Sequence, residues 1–176
     1  MISDVDDTIK ISNVNSIIEA AKKLFIKPIE FFDDMVVKYN EWHVTMDFAY
    51  VSAGFKQSYD FIKPEMDQKF PKGPLILRSV KLNQRDSTYN FKVNAISEII
   101  ESMDNKVALV GDSTQKDAAV YAHLYQKYPS RICKIYIRLI LAKQMVKTVA
   151  ELVKVPTHIQ KIFVNGSELP SVIECK

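Results

Sequence analysis

The stretch Val107-Ala108-Leu109-Val110-Gly111-Asp112-Ser113-Thr114-Gln115-Lys116-Asp117 decides the fold. Four consecutive apolar residues make a run of strand length, Gly111 and Asp112 end it, and Gln115 to Tyr128 continue with helical periodicity. This is a strand, an acidic turn and a helix in immediate succession. Outward from it, apolar runs of similar length recur at Met46 to Val51, Leu75 to Val80 and Ile132 to Leu139. Helical periodicity recurs at Ile29 to Trp42 and Phe91 to Met103. Parallel strands need crossover connections, and helices supply them. The alternation therefore predicts an α/β fold: a Rossmann-like three-layer sandwich, with a central parallel sheet and helices on both faces.

The chain of 176 residues is long enough to bury a core and short for two domains, so one domain is expected over residues 1–176. Its four glycines and seven prolines form no linker-like cluster. The motifs lie within residues 1–140, and residues 141–176 read as a C-terminal helical extension. There Leu141, Met145, Val149, Leu152 and Val153 share a helical face, with Lys143, Lys147 and Lys154 turned largely away. Such a stripe most often packs on a core, and a basic amphipathic helix can also lie on an anionic membrane.

A net charge of +3 does not argue for nucleic acid. Cys133 and Cys175 have no metal-ligand spacing. Cys133 reads as a buried thiol, which favours a reducing compartment. With no bilayer-length apolar run and no secretory pattern, a cytoplasmic location is expected.

A second acidic motif stands near the N-terminus: Asp4-Val5-Asp6-Asp7-Thr8. Only Met1, Ile2 and Ser3 precede it, so its supporting strand is either short or continued upstream. Open parallel sheets bind ligands at the carboxyl ends of the strands, where the strand order reverses. If the first three strands run outward to one side and the fourth returns beside the first, Asp4 and Asp112 become neighbours. Carboxylates that close repel unless a cation intervenes. Magnesium suits them, because it takes oxygen ligands and binds one or two carboxylates plus substrate phosphate. Asp4, Asp112 and the Asp6 carbonyl are the candidate ligands, with Asp117 either a further ligand or a residue that fixes a water. Taken singly, each motif also reads as a turn or helix cap. Together, on alternate strand ends, they point to chemistry. Asp4 is placed to attack phosphorus, and Asp6 to give and then take a proton. Ser52 and Lys92, a turn serine and a surface lysine by composition alone, fall in the right order to bind the phosphate and to place a cation beside Asp4.

These residues make the sequence resemble the haloacid dehalogenase superfamily of phosphatases. Its four motifs are an Asp-x-Asp pair, a Ser or Thr, a Lys and a late acidic pair. Within it, Ser3 to Lys10, Tyr50 to Ser52, Gly73 to Arg78, Phe91-Lys92, Gly111 to Asp117 and Ile135 to Arg138 resemble the catalytic domain of the actin-patch-associated phosphatidate phosphatases. The resemblance implies magnesium-dependent removal of phosphate from phosphatidate, with peripheral membrane contact. A phosphomonoesterase acting on another substrate and a catalytically weak phosphatidate-binding module are the alternatives. Two departures stand out. Ala53-Gly54-Phe55 replaces a small-residue, proline, aromatic sequence, and Thr114 takes a place usually given to glycine, which could tighten the metal loop. Between Thr8 and Ser52 the Ile29 to Trp42 helix leaves little chain for a cap, so an open site is expected.

Overall fold

The computed structural model describes residues 1–12, 29–79 and 87–175. Six parallel strands form one sheet: β1 Ile2–Ser3, β2 Ala49–Phe55, β3 Leu75–Arg78, β4 Val107–Asp112, β5 Ile132–Arg138 and β6 Gln160–Phe163. Their order is β3-β2-β1-β4-β5-β6. The first three strands thus step outward to one side and the fourth returns beside the first, the arrangement expected above. Although β1 has two residues, it is paired on both sides, with Ser3 opposite Tyr50 and Val110.

Side chains that alternate along each strand feed two separate cores. From β4, Ala108 and Val110 join Val5, Tyr50 and Tyr136 on one face; Val107 and Leu109 join Ile2, Val51 and Ile135 on the other. Helices α1 (Asp33–Trp42) and α2 (Tyr59–Lys69) cover the first face through Met35, Tyr39, Trp42, Ile62 and Met66. The second is covered by α3 (Thr88–Glu101), α4 (Asp117–Lys127) and α5 (Met145–Leu152). These are the three layers. A strand apolar on both sides can be buried only between two helical layers, which explains the near-continuous apolar runs in β4 and β5.

One ion pair ties the first layer to the sheet. Arg138, at the end of β5, donates to both carboxylate oxygens of Asp34 in the first turn of α1, and its guanidinium lies 3.8 Å from the Phe32 ring centroid.

Several expectations need correction. The helix expected from Ile29 begins only at Asp33, because Ile11 N–H bonds Glu30 and Phe32 N–H bonds Ile9, which hold the preceding residues extended. Helix α2 was not anticipated, since Pro64 lies within it. The tail is not purely helical: after α5, β6 joins the edge of the sheet beside β5. Cys133 is paired with Cys175, not a free thiol, which removes the argument for a reducing compartment. Val80, the expected end of β3, and much of the segment expected to leave little room for a cap (residues 13–28) lie outside the described residues.

Candidate active site

Asp4 is the first residue beyond β1, and its N–H bonds the Val110 carbonyl at 2.9 Å, which ties it to the neighbouring strand that ends in Asp112. Both acids are buried. The loop between them and their partners is shaped by two backbone features. Asp7 adopts a positive φ of 59°, so the chain turns sharply after Asp6 and brings Thr8 back toward Asp4. Gly111 faces Asp117, where an added Cβ would stand 2.6 Å from the Asp117 Cβ; only glycine lets the helix start so close to the strand.

Each oxygen of Asp4 has a donor. Lys92 Nζ lies 2.7 Å from Oδ1 and Thr8 Oγ1 lies 3.0 Å from Oδ2. Lys92 projects from the second turn of α3 into the site, and it is fully buried rather than a surface lysine. Its ammonium also donates to Asp117 Oδ1 and to Gln115 Oε1, the latter at 3.2 Å. Burial alone would lower its pKa, but Asp117 and Asp4 outweigh that and raise it. Lys92 is therefore charged.

Asp112 does not cap the following helix, whose N-cap is Lys116, and instead closes the turn before it. Its Oδ1 accepts from the Thr114 and Gln115 backbone N–H groups and from the Thr114 hydroxyl. Its Oδ2 is buried and accepts nothing. A buried carboxylate oxygen without a partner costs free energy unless something else satisfies it. Asp117 fills both of its own oxygens, Oδ1 with Lys92 and Oδ2 with the Asp112 N–H at 3.1 Å.

One carboxylate oxygen from each of Asp4, Asp112 and Asp117 lies within 4.8 Å of the others. Against these three carboxylates Lys92 sets one ammonium. The imbalance is visible in the acidities. Burial, and then the surrounding carboxylates, push Asp4 well above the usual carboxylate range, although Lys92 opposes them. Burial and Asp117 raise Asp112 to about 7. An all-oxygen donor set with two surplus negative charges and one unsatisfied buried oxygen fits a hard divalent cation.

Asp6 faces a different group. Its Oδ2 accepts from Ser52 Oγ at 2.8 Å, and its Oδ1 from Lys10 Nζ at 2.5 Å and Ser12 Oγ at 3.1 Å. Burial works to raise its pKa, but Lys10 and the two hydroxyls win and hold it below the usual range. Ser52 lies inside β2, where its hydroxyl accepts from the Gly54 N–H at 2.9 Å. There the register between β2 and β3 shifts, from Ser52 opposite Leu77 to Phe55 opposite Arg78, so β2 is irregular beside the site. The two departures from the family pattern also sit here. An added Cβ at Gly54 would lie 3.0 Å from Ser52 Oγ. Thr114 Oγ1 donates to Asp112 and reaches Asp7 Oδ2 at 3.3 Å, so it ties the two acidic loops together.

All six expected side chains thus converge on the carboxyl edge of β1, β2 and β4, with Asp6 and Ser52 to one side of the Asp4, Lys92, Asp112 and Asp117 cluster. The sequence reading assigned no part to Thr8, Lys10, Ser12 and Gln115. Thr8 and Lys10 each follow an acidic partner by four residues, a signal that acquires meaning only once the chain is known to turn at Asp7.

A Rossmann-like sheet with an acidic, lysine-braced cluster at its switch point defines an α/β protein whose candidate site lies where open parallel sheets bind their ligands. Residues 1–139 match the family described as "Phosphatidate phosphatase APP1, catalytic domain", and the chain belongs to that family. Phosphatidate phosphatase APP1 of Saccharomyces cerevisiae is 31% identical over 148 residues, covering 78% of this chain and 25% of that protein. The chain therefore spans about a quarter of the length of this curated relative. No solved structure matches. No helix among the described residues is long and apolar enough to cross a membrane.

Proposed function

We propose that this chain hydrolyses phosphatidate to diacylglycerol and phosphate by haloacid-dehalogenase-type chemistry, with Asp4 as nucleophile. The observation that carries the reading is the buried Asp4 carboxylate, oriented by Lys92 at 2.7 Å and Thr8 at 3.0 Å and clustered within 4.8 Å of a carboxylate oxygen of Asp112. Membership of the family supports phosphatidate as the substrate.

An Asp4 oxygen attacks phosphorus and the bond from phosphorus to the glycerol oxygen breaks, leaving an aspartyl phosphate. Asp6 protonates the departing oxygen. Water then attacks phosphorus, Asp6 takes its proton, and phosphate leaves with Asp4 regenerated. In the resting arrangement Lys10, Ser12 and Ser52 hold Asp6 ionised, the form needed for the second step. For the first step Lys10 must surrender its contact, and an incoming phosphate dianion competes for it. Lys92 stays charged throughout and faces the phosphoryl oxygens next to Asp4; Ser52 and the Gly54 N–H lie on the opposite side.

Magnesium fits the donor set, and Asp4, Asp112 and the Asp6 carbonyl would hold it. Asp117 holds Lys92 and the Asp112 N–H, and would be a further ligand or fix a water beside the ion. When bound, the ion neutralises charge on the phosphoryl oxygens.

The test is phosphate release from phosphatidate in mixed micelles with magnesium, for the parent chain, Asp4→Asn and Asp6→Asn. Loss of a nucleophile or its proton donor is expected to cost about a thousandfold or more in rate. Activity that survives Asp4→Asn overturns the mechanism, and a strong preference for soluble phosphomonoesters over phosphatidate overturns the substrate.

A further inference from the structure

The stripe on α5 does not pack as a whole on the core. Only Thr148 and Leu152 of the helix are buried. Met145, Val149 and Val153, spaced four residues apart, form an exposed row, and Val146 beside them is 81% exposed. Lys147 on the helix, Lys143 in the turn just before it and Lys154 just beyond its end are all exposed and add positive charge beside the apolar row. Between Leu141 and Lys154 stand three lysines and one acid, Glu151, which lies 3.6 Å from Lys147.

This face begins at the acidic site. Gln144, immediately before α5, accepts from the hydroxyl of Ser113, the neighbour of Asp112, and the Ile140 N–H donates to the same hydroxyl. Across the site, α2 starts just beyond β2 with Tyr59 and Phe61 exposed. In the order β2-β1-β4-β5, exposed apolar side chains therefore stand on both flanks of the strands that carry Asp4 and Asp112. Charge separates the flanks: Lys56 and Asp60 offset each other on the α2 side, while the α5 side is basic.

We infer that the part of this face nearest the site, Leu141 to Val149, with Tyr59 and Phe61, docks on the anionic phospholipid surface that carries the substrate. The inference rests on reading the site as one for a membrane lipid. An exposed apolar row with lysines beside it is the pattern that inserts between headgroups while the lysines meet lipid phosphates. Docking there sets the carboxyl edge of the sheet against the leaflet, so a phosphatidate headgroup reaches Asp4 with its acyl chains still in the membrane.

Co-sedimentation of the whole chain with phosphatidylcholine vesicles, with and without phosphatidylserine, tests this. Phosphatidylserine is a phosphodiester, so binding is read without turnover. The parent is expected to bind the anionic vesicles about tenfold more tightly than the neutral ones. Val146→Asp with Val149→Asp should weaken binding by about tenfold or more. Lys143→Glu with Lys147→Glu should abolish the preference for anionic vesicles. Because all four positions are exposed, the thermal melts of both variants should match the parent's. No vesicle binding by the parent, or binding unchanged in the valine variant, overturns the docking surface. So does a parent dimer on sedimentation equilibrium that the valine variant turns into a monomer, since the face would then meet a second copy. Vesicle binding without any phosphate release from phosphatidate overturns the reading of the site instead, while release from micelles without vesicle binding overturns only the docking surface.

Discussion

Replacing Asp112 by asparagine should stabilise the cation-free protein at alkaline pH while removing its response to magnesium. In the folded chain Asp112 is fully buried, and burial and Asp117 raise its pKa from 3.8 to about 7. A carboxyl that binds its proton more tightly folded than unfolded adds stability at low pH. Here that contribution is complete below 3.8 and is lost as the pH climbs through about 7. The interval of roughly three pH units corresponds to about 4 kcal/mol. Between about pH 5.5 and about pH 8.5 the expected loss is about 2 kcal/mol from this group alone. Asp4 is shifted in the same direction and adds to it. Asparagine keeps an oxygen for the Thr114 and Gln115 N–H groups and carries no charge. In a chelator at about pH 8.5, Asp112→Asn should therefore gain up to about 4 kcal/mol over the parent, about 10 °C in melting temperature for a domain of this size. Urea unfolding at the two pH values, with chelator and with magnesium, is the assay. Magnesium should restore the parent at alkaline pH and leave the variant unmoved. If Asp112→Asn is no more stable than the parent in chelator at alkaline pH, the carboxylate crowding inferred for this site is wrong.

Three other substitutions address separate parts of the structure. Lys92→Met leaves Asp4 and Asp117 without their shared ammonium in a buried site, and should cost about 3–5 kcal/mol in urea unfolding at neutral pH. The cost should shrink toward acid pH as the carboxylates protonate; a loss below about 1 kcal/mol would show that the ion pairs are not what holds α3 to the strand ends. Thr114→Gly removes the hydroxyl that joins the Asp112 and Asp7 loops. It should raise the magnesium concentration needed for thermal stabilisation by about tenfold or more, and an unchanged midpoint would refute its part in shaping the site. Arg138→Met breaks the paired contacts to Asp34 and should cost about 3 kcal/mol. A double-mutant cycle with Asp34→Asn should return a coupling of about 1–3 kcal/mol, and no coupling would mean that the arginine contributes only by packing on Phe32.

The acidic edge of the sheet was legible because it depends on covalent order. An acid that directly follows an apolar strand must emerge at the carboxyl end of a parallel sheet, and Asp4 and Asp112 needed only the strand order to become neighbours. Lys92 was legible by its place among the motifs, not by its composition, since nothing local distinguishes a buried lysine from a solvated one. Thr8, Lys10 and Ser12 were not legible in that way. Their contacts with Asp4 and Asp6 depend on the positive φ at Asp7, and although aspartate is enriched in that conformation it adopts it too seldom for its identity to announce it. β6 escaped for another reason. Its four residues, Gln160–Phe163, are two polar and then two apolar, too short and without the alternation of a strand, and they become one because β5 presents an edge to them. The α5 stripe marks the limit of periodicity as evidence. The spacing of Met145, Val149, Leu152 and Val153 correctly gives a helix with an apolar face, but whether that face is covered depends on the width of the neighbouring helices. Thr148 and Leu152 are buried and Met145, Val149 and Val153 stay exposed, so only one edge of the stripe packs on the core.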